Sequence, residues 1–121
     1  MNLEKILEKF SIISGITSPE EIAPWITVCE DAYIDIKTNL KDDVDLEKHS
    51  RRLNSAAASL AFYRYVLYQA SSGAHTFTAG EIRIRTDIKT SVKLAHNVWL
   101  DAKRGIADLL KDEEFVFERI V

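Results

Sequence analysis

The stretch LNSAAASLAFYRYVLYQAS, Leu53 to Ser71, limits what this chain can fold into more than any other. Its apolar positions run Leu46, His49, Leu53, Ala56, Leu60, Tyr63, Leu67 and Ala70, in steps of three and four, which is a helix stripe. Ala57, Ala58, Ala61, Phe62, Tyr65, Val66 and Tyr68 widen that stripe nearly all the way round. A helix that is apolar on most sides must be covered by several neighbours. In a chain of 121 residues some of that cover is expected from another subunit. The spacing predicts this helix from about residue 46 to 71, with Asp43 or Asp45 available as its cap and Ser-Ser-Gly ending it.

Its partners are legible on either side. Leu3, Ile6, Leu7, Phe10 and Ile13 fall at helical spacing, and Gly15 follows at a left-handed cap position, which predicts a short amphipathic helix over 2–13. In TSPEE, Ser18 reads as an N-cap, Pro19 as the first helical residue, and Glu21 as the far member of a capping box. Pro24 lacks the amide hydrogen that would bond back one turn, so it kinks the second helix or splits off a turn before Trp25. The stripe continues through Ile22, Ile26, Cys29, Tyr33, Ile36 and Leu40. Asp87 can cap a last long helix whose stripe is Ile88, Val92, Ala95, Trp99, Ala102, Ile106 and Leu109, with Gly105 inside it as a sign of close packing.

Two segments break the helical period. In HTFTAGEIRIRTD the residues alternate: Thr78, Gly80, Ile82, Ile84 and Thr86 on one side, Phe77, Ala79, Glu81, Arg83 and Arg85 on the other. The tail EEFVFERIV is rich in aromatic and β-branched residues and reads as a second short strand from Phe115 to Val121. The expected class is therefore all-α: a small bundle of three long helices plus a short N-terminal helix, with a β-strand or hairpin insert between the last two long helices and a C-terminal strand. Residues 1–121 are read as one domain.

Composition excludes several functions. A net charge of -3 and a pI near 5.6 argue against a broad basic surface for phosphate backbones. The lone Cys29 cannot form an internal disulfide, and on an apolar stripe it reads as a buried structural thiol. No long uncharged apolar run exists, and MNLEKILEKF mixes Glu and Lys into its apolar pattern, unlike a signal peptide, so the chain is expected to stay inside the cell that makes it.

Candidate chemistry is sparse. Asp43, Asp45 and Glu47 alternate as a calcium loop begins, but Lys48 stands where that loop needs Gly, and Asn54 where it needs Glu. Glu30, Asp31 and Asp35 form a helical carboxylate cluster of the kind that holds magnesium, without a matching acidic pair on the third and fourth helices. His49, His75 and His96 lie in three segments with no metal-ligand spacing, and no nucleophile elbow, phosphate loop or dinucleotide fingerprint is present. The run FYRYVLY sits in the most apolar helix and reads as core or subunit interface. Arg83 and Arg85, beside Glu81, read as a presented strand face, with Ile82 and Ile84 on the buried side.

The order of parts carries a resemblance: a short N-terminal helix, SPEEIAPWITVCEDAYIDI, the small-residue-rich LNSAAASLAFYRYVLYQAS, then FTAGEIRIRTD, a last long helix and an aromatic tail. This layout resembles the head-tail connector, or head-completion, proteins of tailed bacteriophages and prophages, over nearly the whole chain. The resemblance implies a helical subunit of a homo-oligomeric ring beneath the portal, with portal and tail-completion proteins as partners and DNA only as passing cargo. It implies no catalysis, no cofactor, no metal and no membrane, in the cytoplasm of the bacterial host and at the head-tail junction of the virion. The residues it assigns to partner or subunit contact are Phe77, Glu81, Ile82, Arg83, Ile84, Arg85, Phe115 and Phe117. Two other readings are a magnesium-dependent helical nucleotide pyrophosphohydrolase using Glu30, Asp31 and Asp35, and a small prophage-encoded regulator that binds a host protein through an exposed strand edge.

Overall fold

In a computed structural model the chain is described over residues 2–71, 77–79, 82–84 and 88–111, and these residues are mostly helical. Helix α1, Leu3–Ser14, starts where the Asn2 side chain accepts the Lys5 amide at 3.2 Å. It stops at Gly15, whose φ of 77° is the left-handed conformation that lacks a penalty only in glycine, and the Gly15 N–H donates to Ser11 O at 2.8 Å. Buried Ser14 is satisfied inside that cap, donating to Phe10 O and accepting from the Ile16 amide.

Pro19 opens α2, Pro19–Ile22, as its fixed φ favours. The capping box does not form: Ser18 makes no side-chain cap bond, and its backbone carbonyl instead accepts from the amides of Glu21 and Ile22. Pro24 does split the helix, placing a 3-10 turn over Ala23–Trp25 before α3, Ile26–Thr38. The buried side of α3 is Cys29, Ala32 and Ile36, with Leu40 just beyond it. Tyr33, expected on the stripe, is half-buried beside it, under the Lys37 ammonium at 5.8 Å from its ring centre. The small Ala32 takes the inward position because α3 packs close to the central helix.

That central helix is α4, Ser50–Ser71. It begins four residues later than its stripe suggests, because Asp45 Oδ1 accepts the amides of Glu47 and Lys48 and holds residues 46–49 in turns. Twelve of its 22 residues are buried, which matches its apolar pattern on nearly every side. The cover comes from α1, α3 and α5 of the same chain, so no second subunit is needed to bury it. Ala56, Ala57, Ala58 and Ala61 are fully buried and let the neighbouring helices come close. Tyr65 is the aromatic pivot, meeting Trp25 edge-on at 4.6 Å and Phe10 edge-on at 5.9 Å.

After α4, strands β1, Phe77–Ala79, and β2, Ile82–Ile84, run antiparallel, with Phe77 opposite Ile84, Thr78 opposite Arg83 and Ala79 opposite Ile82. Helix α5, Ile88–Arg104, follows and packs on α4. It ends before Gly105, earlier than its stripe suggests, and Ile106 and Leu109 reach the core from a turn and a 3-10 segment, Ala107–Leu109. Gly105 is exposed, and a Cβ there would meet its own turn's Ala102 O at 3.3 Å, so it does not mark a close helix crossing. The chain then bridges back: Leu110 pairs antiparallel with Leu40, Lys41 N–H donates to Leu109 O at 2.9 Å, and Lys111 N–H donates to Asn39 O at 2.8 Å. The C-terminal strand read over residues 115–121 and the Asp87 cap lie outside the described residues.

Candidate functional site

The residues assigned to partner contact divide into two groups. Phe77, Ile82, Arg83 and Ile84 stand on the paired backbone segments that leave α4 and return to α5. Glu81, Arg85, Phe115 and Phe117 lie outside the described residues. Because residues 80 and 81 separate the two strands, the register sets Ile82 and Ile84 opposite Ala79 and Phe77, and Arg83 opposite Thr78. An uninterrupted strand groups Phe77 and Ala79 with Arg83 instead, so the pairing differs from simple alternation.

The carboxylates of α3 are placed individually. Arg64 Nη2, from α4, donates to Asp35 Oδ2 at 2.6 Å, with the Arg64 side chain 12% exposed. Glu30 and Asp31 are exposed. One member of the trio is thus occupied by a guanidinium, which neutralises it and aligns it with the bundle. Among the described residues no group of three or more His, Cys, Asp or Glu side chains stands together as a metal site. In the calcium-like stretch, Asp45 Oδ1 accepts from the amides of Glu47 and Lys48, and Asp42 lies 3.8 Å from Lys111.

Cys29 is fully buried, and burial, with the Glu30 charge adding to it, pushes its thiol up to about 12. A thiol so placed supplies no thiolate near neutrality. His96 lies against the Tyr63 ring at 5.1 Å, and His49 accepts at Nδ1 from Arg52 Nη2 at 2.8 Å. His75 lies outside the described residues.

Sequence spacing did not single out Arg52. Its guanidinium donates to Gly105 O at 2.8 Å and Asp108 Oδ1 at 3.1 Å as well as to His49, tying the first turn of α4 to the chain after α5. The Arg52 hydrogen bond holds the Asp108 carboxyl below the usual carboxylate value. Partners more than fifty residues apart leave no local pattern, and only the fold brings them together.

No described helix is long and apolar enough to cross a membrane. Exposed large apolar side chains, Ile12, Ile34, Tyr68 and Leu94, sit on four different helices of the described region. Comparison of the chain with protein-family models, with curated proteins and with solved structures finds no match.

Proposed function

We propose that this chain is a structural adaptor in phage or prophage virion assembly, a non-catalytic subunit of an oligomeric ring that links the portal to the tail. The observation that carries the reading is the connection between α4 and α5. Arg52 at the start of α4 reaches Asp108 beyond the end of α5, and Tyr63 meets His96, so the two helices pack antiparallel. Antiparallel neighbours in bundles are joined by about 2–8 residues. Here residues 72–87 intervene, and they hold paired backbone segments that joining the helices does not require.

In this reading the segment from Phe77 to Arg85 is a hairpin insert, and with a strand formed by Phe115 and its successors it makes the contacts to neighbouring subunits and to the portal. Ile82 and Ile84 supply apolar contact, while Glu81, Arg83 and Arg85 set orientation through charge. Strand edges offer unpaired amides and carbonyls, which suits them to joining chains. The layout resemblance to head-tail connectors supplies the identity of the partners. The test is co-expression with a tailed-phage portal protein, followed by sedimentation. A complex heavier than either component is expected; a chain that sediments as a monomer both alone and with that protein overturns the reading.

A further inference from the structure

From Phe10 to Ile36 the chain carries Glu20, Glu21, Glu30, Asp31 and Asp35 and no Lys, Arg or His. The stretch supplies the 3-10 turn and α3, and α3 packs on α4. Asp35 is matched by Arg64 at 2.6 Å. Glu20, Glu21, Glu30 and Asp31 are exposed and have no ion pair among the described residues. Charges of one sign gathered on one side build a potential that draws a cation and repels anions.

Beside these acids an aromatic pair reaches the surface. Tyr68 of α4 is 49% exposed, and its ring centre stands 6.3 Å from that of half-buried Trp25, the two planes inclined by 31°. Buried Tyr65 meets Trp25 edge-on at 4.6 Å and so holds the indole from the core side. Burial, with the Glu21 charge adding to it, pushes the Tyr65 hydroxyl up, which puts the Glu21 carboxylate close to this aromatic group. The contacts of Arg64 with Asp35 and of Tyr68 with Trp25 run α3 antiparallel to α4. Asp31 is one turn from Asp35 toward Trp25, and Tyr68 is one turn beyond Arg64, so Asp31 comes alongside Tyr68.

A guanidinium lies flat on an aromatic ring while its N–H edge donates to a carboxylate, and a compact, strongly hydrated ammonium does this less well. We propose that Trp25 and Tyr68, flanked by Glu21 and Asp31, form a docking shelf for an arginine-bearing segment of another protein. The Tyr68 ring takes the face of the guanidinium, and the two carboxylates take its donors. Charge complementarity chooses this occupant, since an acidic segment meets only repulsion here. The shelf uses none of the residues given to assembly, so the two readings stand or fall separately.

The test titrates the nitrogen-15-enriched full chain with a blocked peptide of alternating arginine and glycine at physiological ionic strength. The Trp25 indole N–H should shift and saturate, while that of fully buried Trp99 stays in place. A lysine–glycine counterpart should bind about two- to fivefold more weakly, and a citrulline–glycine counterpart, without the charge, should leave the Trp25 indole unmoved. Tyr68→Leu and, separately, Glu21→Gln with Asp31→Asn should each weaken the arginine peptide by about two- to fivefold, amide spectra confirming that each variant is folded. An arginine peptide that leaves Trp25 unmoved overturns the proposal, as does equal binding of the lysine peptide or a folded variant that binds like the parent. A Trp25 indole that moves with protein concentration before peptide is added means that a second copy fills the shelf, which overturns it too.

Discussion

Leu60 is fully buried at the middle of the most enclosed helix, where the surrounding alanines leave little freedom to collapse around a hole. Leu60→Ala should therefore lower the unfolding free energy by about 2–5 kcal/mol, read by urea denaturation, and a change below about 1 kcal/mol would place Leu60 outside the core. Cys29 is equally buried but chemically idle. The native thiol, pushed up to about 12, should resist alkylation until the chain unfolds, and Cys29→Ser should keep any biological activity while losing about 1–3 kcal/mol of stability to the buried hydroxyl. Loss of function in a folded Cys29→Ser variant would show that the thiol is used. Asp35 separates adaptor from pyrophosphohydrolase at the same scale. With Arg64 on its Oδ2 at 2.6 Å, the Asp35 carboxylate already has a cationic partner that magnesium would compete with. Millimolar magnesium should leave the melting temperature unchanged, because only a ligand of the native state raises it; a clear magnesium-dependent rise would favour the enzyme.

At the scale of elements, the stripes marked which helices exist better than where they end. The glycine cap of α1, the break at Pro24 and the all-round burial of α4 were legible because each rests on local chemistry: a left-handed φ, a missing amide hydrogen, an apolar count. Ile106 and Leu109 keep the helical spacing of α5 and do reach the core, yet they do so from a turn and a 3-10 segment. Periodicity reports which face is buried, and a turn of similar pitch satisfies it as well as a helix. Likewise Leu46 lies on the stripe of α4 while Asp45 holds its backbone in a turn. The Arg52 clamp was illegible because its partners come from distant segments, and it carries a pH signature. Asp108 sits below its ordinary value of 3.8 through the Arg52 hydrogen bond, so its contribution is fully present above 3.8 and is lost as pH falls through the lower folded value. Denaturation curves of the parent and of Asp108→Asn should differ at neutral pH and converge in strong acid. A gap that persists unchanged in acid would mean the carboxylate charge is not what Arg52 holds.

For the whole molecule, the cover of α4 by helices of its own chain shifts the weight of any assembly onto other segments. Had α4 needed a second subunit, association and folding would be one event. With α1, α3 and α5 completing the core, the two are separable. Ile82 and Ile84 stand on a two-stranded pairing between α4 and α5. Replacing both by Lys, or cutting the chain before Phe115, should thus leave the helical circular dichroism nearly unchanged while weakening association with itself or with the portal. Lysines on a strand oppose edge-to-edge pairing, since each new chain would have to bury an ammonium. Circular dichroism and analytical ultracentrifugation on one preparation read both quantities. If the helical signal collapses, these segments belong to the folding core and the separation of folding from assembly fails. If the variants stay folded and associate as well as the parent, assembly runs through another face, and the insert and tail lose the role proposed for them.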